Sequence, residues 1–216
     1  MKIRCARPWL EADLGALHRV ISWAVHRPGL VHARHILWRE VRNAELTPEL
    51  EVAGWLRSEL DARDATDAVC LLTSRDIRAH HHATASEAGL RVEALATTGL
   101  SNAEAVGARV DRRGHDWGTI NIAVQVHAAL SEPALLEALS IAAEARTAAV
   151  MDAGFDLPTG RATGTGTDCI ALAARISGEA LPHAGLHTDL GAALGRAVRD
   201  AVAAGAQEWM ATVRRR

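Results

Sequence analysis

The sequence contains no tyrosine and a single phenylalanine, so its aromatic content rests almost entirely on six tryptophans. Tyrosine chemistry is therefore excluded, and alanine, leucine and valine must build most of the core. Cysteine is also scarce. Cys5, Cys70 and Cys169 are odd in number and far apart, and none forms a C-x-x-C pair. Such a set does not predict a disulfide framework, and reduced thiols in a cytoplasmic protein are the simpler reading. No apolar run reaches the roughly 18 residues expected of a membrane-spanning helix. Lys2 and Arg4 resemble the start of a signal peptide, but Glu11, Asp13, His18 and Arg19 interrupt any apolar segment behind them. An excess of positive charge is missing too. The 24 Lys and Arg face 26 Asp and Glu, for a net charge of −2 and a pI near 6.6. Binding to a phosphate backbone needs a concentrated basic surface, so no nucleic-acid partner is expected.

What remains is the composition of an ordinary globular protein, 49% hydrophobic and 23% charged over 216 residues. That length suits one domain with a sizeable core. No internal repeat or linker-like run divides it, so residues 1–216 are read as one unit.

Alternation and helical spacing predict the elements. Arg19–Val25 reads as a strand closed by Pro28-Gly29. Pro48–Arg63 reads as a helix with Leu50, Ala53, Leu56 and Leu60 on one face and Thr47 as its N-cap. Ala68–Thr73 reads as a short buried strand. Ser74–Gly89 is read as a short helix carrying His80, His81 and His82. Leu90–Thr98 is a strand ended by Gly99. Thr119–His127 alternates cleanly, with Ile120, Ile122, Val124 and Val126 on one face. Ser131 caps a long alanine-rich helix with Pro133 in its first turn, running to about Ala153 before Gly154. Asp168–Ala174 is a further buried strand, and Thr188–Val213 a last long helix. The expected fold class is α/β or α+β, a mixed sheet covered by at least two long helices.

Three segments could carry chemistry. Thr97–Gly107 (TTGLSNAEAVG) offers the Ser101 hydroxyl and the Asn102 amide, although the residues alone favour a turn with a helix cap. Gly160–Asp168 (GRATGTGTD) packs three glycines and three threonines into nine residues beside a strand. Glycine there exposes backbone N–H groups that cradle anions, and strand-held loops often carry function. No Gly-Lys-Ser/Thr follows, so it is not a nucleotide-binding P-loop. His80–His82 invites a metal reading. Consecutive residues of a helix point apart, however, and no further histidine lies at the spacing that would share a face. His115, His127, His183 and His187 are scattered, and each could act as a base near neutral pH. Asn121 sits opposite in phase to Ile120 and Ile122, either exposed or a buried amide facing a substrate. Strand alternation should turn Asp168 and Cys169 to opposite faces, which argues against a catalytic pair of the two.

Read in order, four segments resemble one family. They are Thr97–Gly107, Gly118–Gly154 (GTINIAVQVHAALSEPALLEALSIAAEARTAAVMDAG), Thr163–Ala174 (TGTGTDCIALAA) and His183–Val198 (HAGLHTDLGAALGRAV). Together they look like the adenosylcobinamide amidohydrolases. Ala68–Arg78 and Gly29–Val41 add to the likeness, which runs from about Trp23 to Val198. The chain departs from the family at Trp38-Arg39, where an Asn is usual. The resemblance implies hydrolysis of the amide that joins a corrin propionyl side chain to aminopropanol, giving adenosylcobyric acid in corrinoid salvage. It allows pseudocobalamin as a further substrate. It implies no cofactor or metal held by the protein, because the cobalt belongs to the substrate. The size of a corrin suggests a wide cleft that a second copy of the chain could complete.

For the chemistry itself, Asp168 is expected as general base or orienter, acting on water, Thr165 or Thr167. Gly164 and Gly166 would hold the oxyanion through their N–H groups, while Ser101, Asn102 and Asn121 would position substrate. His187 is the expected proton donor to the leaving amine. Two other classes stand against this reading: a corrinoid carrier that releases its ligand unchanged, and a metal-dependent hydrolase built on His80–His82.

Overall fold

A computed structural model describes residues 1–42, 45, 50–108 and 118–214. The chain opens with three strands, β1 (Lys2–Ala6), β2 (Trp9–Ser22) and β3 (Gly29–Glu40), followed by helix α1 (Val52–Asp61). Strands β4 (Val69–Thr73), β5 (His80–Glu87), β6 (Leu90–Thr98), the short β7 (Ala103–Glu104) and β8 (Ile120–Leu130) lead into α2 (Glu132–Asp152). Four two-residue strands come next around one longer one: β9 (Asp156–Leu157), β10 (Gly160–Arg161), β11 (Gly164–Thr165), β12 (Cys169–Arg175) and β13 (Ala180–Leu181). Helix α3 (Asp189–Thr212) completes the fold. The α/β expectation holds. The main sheet runs β4-β3-β2-β12-β8-β6-β5, with parallel pairing at β3–β4 and β12–β8 and antiparallel pairing between its other neighbours.

The alternation read in β8 decides the layering. Ile120, Ile122, Val124 and Val126 face a core shared with Ile170, Leu172 and the inner faces of α2 and α3. The Ser131 cap stands where it was expected, accepting from Ala134 N at the start of α2, and Thr188 accepts from Gly191 N at the start of α3. A second core of Leu10, Val20, Ile36, Trp38, Leu71, Leu95 and Ala171 fills the opposite face, and Leu56 and Leu60 of α1 join a third outside β3 and β4.

The sheet curls around that second core. Asn121 Nδ2 on β8 donates to Leu72 O on β4 at 2.6 Å, and Gln125 Nε2 donates to Leu14 O on β2 at 2.8 Å. Neither strand is a hydrogen-bonded neighbour of β8, so these buried amides tie one arm of the curl to the other.

Three expectations are corrected. Residues 80–87 form a strand, not a helix, and pair antiparallel with β6 from His80↔Thr97 to Glu87↔Leu90. The deciding signal is the turn: Ala88 (φ 46°) and Gly89 (φ 83°) both take positive φ, the signature of a tight two-residue hairpin. The strand of Arg19–Val25 is the end of a much longer one, and β1 and β3 flank it unforeseen. Helix α1 is shorter than Pro48–Arg63 and is capped by Glu51, whose carboxylate accepts from Ala53 N and Gly54 N. Thr47, Pro48 and His115 lie outside the described residues. Among the described residues no helix is long and apolar enough to cross a membrane.

Because Ala88 occupies a left-handed conformation that disfavours a Cβ, Ala88→Asn should stabilise the protein by about 1 kcal/mol. A higher urea midpoint with an unchanged m-value is the expected result.

Candidate active site

Strands β8 and β12 run parallel in register, Cys169 opposite Asn121, so both begin at one edge of the sheet. The Gly160–Asp168 loop feeds β12 at that edge, and β6 delivers the Thr97–Gly107 loop to it. The two loops are clamped together. Strand β11 pairs with β7, with Gly164 opposite Glu104 and Thr165 opposite Ala103. Thr163 N donates to Glu104 O at 2.9 Å, and Val106 N donates to Thr163 Oγ1 at 2.8 Å.

Beneath the clamp lies a buried ion pair. Arg146, on α2, donates through Nη1 to Asp168 Oδ2. The carboxylate is only 6% exposed and the guanidinium 17%. Burial lowers the pKa of Arg146 from its ordinary value. Asp168 Oδ2 also accepts from Thr165 N at 3.0 Å, and Oδ1 accepts from Ile120 N at 3.0 Å and from the Thr165 hydroxyl. The carboxylate therefore fixes the Thr165 backbone, the Thr165 side chain and the first residue of β8 at once.

Gly164 makes this possible. A Cβ there would stand 2.6 Å from Asp168 Oδ2 and 2.7 Å from Arg146 Nη1, both held by the ion pair. Gly164 thus admits the ion pair against the backbone, a different role from the oxyanion contact expected of it. Gly166 is exposed, with nothing within 4 Å of where a Cβ would sit. Thr167 is exposed, and its hydroxyl donates to Gly118 O at 3.0 Å.

On the neighbouring loop Asn102 is 6% exposed, and its Oδ1 has no hydrogen-bond partner among the described residues. Gly118 packs so closely on this loop that a Cβ would lie 2.8 Å from Ser101 N and 3.0 Å from Asn102 Oδ1. An amide oxygen that is buried and has no partner among the described residues is able to accept a hydrogen bond from an N–H of a bound molecule.

Two expected residues fall elsewhere. Asn121 is fully buried and belongs to the curl, bonded to Leu72 O and 3.4 Å from Thr119 Oγ1. His187 lies at the opposite end of the sheet: the segment leading to it pairs with the far end of β8, Leu181 opposite Leu130. The 11 residues of β8, at roughly 3.3 Å each, separate it from Asp168, so it cannot serve the same reacting centre. The histidine triplet alternates across β5. His81 Nε2 lies 3.2 Å from Glu208, which Arg75 also holds at 2.7 Å, while His82 shares the buried Glu93 with His127 at 3.0 and 2.8 Å. Among the described residues no group of three or more His, Cys, Asp or Glu is placed to hold a metal ion. His81 is on the helix side of the same sheet edge, but three strand spacings, roughly 14 Å, separate β5 from β12.

Sequence reasoning missed Arg146, although a signal existed. On α2 it shares a face with the buried Ala142, Ala149 and Val150, four, three and four residues away. A lone arginine on an apolar helix face needs a buried acidic partner.

The adenosylcobinamide amidohydrolase family's sequence profile matches residues 1–214. A protein of Halobacterium salinarum with the name adenosylcobinamide amidohydrolase is 35% identical over 145 residues, a stretch covering 64% of this chain and 58% of that one. The chain thus spans less than two thirds of that relative's length. The solved PH0078 protein of Pyrococcus horikoshii covers 91% of this chain and 76% of its own at a TM-score of 0.46 and 11% identity, a likeness too slight to argue from.

Removing one partner of a buried ion pair leaves an uncompensated charge. Arg146→Met should therefore cost about 3 kcal/mol in urea unfolding, and clearly less when Asp168→Asn is already present. Equal costs in both backgrounds would mean that the two side chains do not interact.

Proposed function

The chain belongs to the adenosylcobinamide amidohydrolase family, and from that premise we propose that it cleaves the amide between a corrin propionyl side chain and aminopropanol, releasing adenosylcobyric acid. The observation that carries the proposal is the clamped pair of glycine- and threonine-rich loops over the Arg146–Asp168 ion pair. It brings a hydroxyl, a fixed carboxylate and the exposed Gly166 together at one place, and amide hydrolysis requires a nucleophile, a base and an oxyanion donor.

In the proposed chemistry Asp168 acts first as an orienter. Its hydrogen bond fixes the Thr165 hydroxyl in one rotamer. The Thr165 oxygen attacks the amide carbon, its proton passing to Asp168, and the carbonyl oxygen becomes an oxyanion held by the exposed Gly166 N–H. Collapse of that intermediate breaks the C–N bond as Asp168 returns the proton to the leaving amine, the role expected of His187. Water then hydrolyses the Thr165 ester. Arg146 pairs with the Asp168 carboxylate and holds it in place beneath the loop. Asn102 accepts from a substrate amide, and Ser101 and Thr167 border the opening. The protein is proposed to need no metal or cofactor of its own, the cobalt arriving with the substrate. The three free cysteines suit a reducing cytoplasm, and a second copy of the chain would widen the cleft to fit a corrin.

Incubation with adenosylcobinamide, followed by mass spectrometry, should show adenosylcobyric acid accumulating. Corrinoid that binds but emerges unchanged would instead establish the carrier reading. Within the enzyme, Asp168→Asn and Thr165→Val should each lower kcat by about 10²–10³, the scale of one lost transition-state contact. Near-normal turnover by a folded Thr165→Val protein would transfer the attack to water.

A further inference from the structure

Trp23 has a position that packing does not explain. It lies one residue past the end of β2, between Ile21, which packs against the helix-side core, and Ala24, which enters the opposite core. Its side chain remains 48% exposed. Beside it stands Leu30, the cross-strand partner of Ile21, itself 47% exposed. Isolated exposed apolar residues are common. Here, however, the indole is also immobilised, because Nε1 donates to Asp168 O at 2.6 Å. The ring thus gives up rotational freedom while about half of the residue stays open to solvent, the condition of a surface pre-organised for a ligand.

The residue that pins it is the one whose carboxylate holds Thr165. The indole and the Thr165 hydroxyl consequently lie within roughly 10 Å, about three residues of chain. An apolar, flat, rigid surface at that distance suits a conjugated ring next to the bond being cut.

We propose that Trp23, flanked by Leu30, is a stacking platform that sets the affinity of the site for a flat conjugated ring of the substrate. This rests on the corrinoid reading above, in which the ring is either the corrin or the adenine of its adenosyl group. Trp23 positions and binds substrate, and it takes no part in proton transfer.

The test compares wild type, Trp23→Phe and Trp23→Ala. Calorimetry gives binding of adenosylcobinamide and of cobinamide lacking the adenosyl group, and steady-state kinetics gives the KM and kcat split. Trp23→Ala should raise Kd and KM about tenfold or more, as loss of ring stacking does, and Trp23→Phe should recover most of the loss, with kcat within about twofold. A loss seen with both corrinoids assigns the platform to the corrin, and one confined to the adenosyl form assigns it to adenine. Unchanged Kd in folded Trp23→Ala overturns the platform. So does a fall in kcat at constant KM, which would reduce Trp23 to a brace for the loop, or a change in self-association alone, which would make the patch a contact between copies. Wild type that binds without turnover defeats the hydrolase reading, while its Kd comparison still decides the role of Trp23.

Discussion

Everything proposed for the site depends on one carboxylate drawn out of water against a guanidinium. The loop carrying Thr165 is made of residues with little to bury, so hydrophobic packing cannot give it a fixed shape. Asp168 and Arg146 supply that shape electrostatically: one anion collects donors from the loop, from the first residue of β8 and from α2. Burying such a pair stabilises little, since desolvation offsets most of the attraction. Its value lies in direction, because the alternatives leave a charge unpaired inside the protein. Gly164 is the steric counterpart, the point where the backbone must lack a side chain for the pair to close.

The rest of the sheet brings that anion to an edge. Parallel pairing of β12 with β8 places two strand starts side by side, and β6, antiparallel to β8, ends beside them. Loops far apart in sequence therefore meet over one corner, while the curl closed by Asn121 and Gln125 fills the other face with apolar side chains. Polar residues on β8 thus divide by position. Those pointing into the curl hold the fold, and the chemistry proposed here falls to the loop before β12.

What the sequence made legible follows from how local each signal is. The alternation of β8, the serine cap of α2 and the Gly/Thr loop are all contained in short windows, and all reappear in the structure. Residues 80–87 read as a helix because three histidines and two alanines carry no decisive period, and the positive φ of Ala88 is invisible in an alanine. Asn121 was recognised as one of two things, buried or exposed, but its partner Leu72 lies on a strand that only the curl brings near. His187 was joined to the site by chemistry alone, and strand direction puts it at the other end. Arg146 was within reach of a helical-wheel argument, since the face it shares is otherwise apolar.

The pairing of β2 with β12 has a consequence for the history of each molecule. Ser22 meets Ala171 and His18 meets Arg175, contacts separated by about 150 positions of chain, so the centre of the sheet closes through one of its most distant pairings. Contacts of that span carry a large loop-closure cost and form late. A nascent chain can assemble the β2–β3 hairpin and the β5–β6 hairpin early, but the Asp168 loop and the indole that leans on it come together only when the last central strand inserts. Until that step the hairpins present open strand edges to their surroundings. Competence for chemistry and protection from aggregation are therefore acquired in the same event.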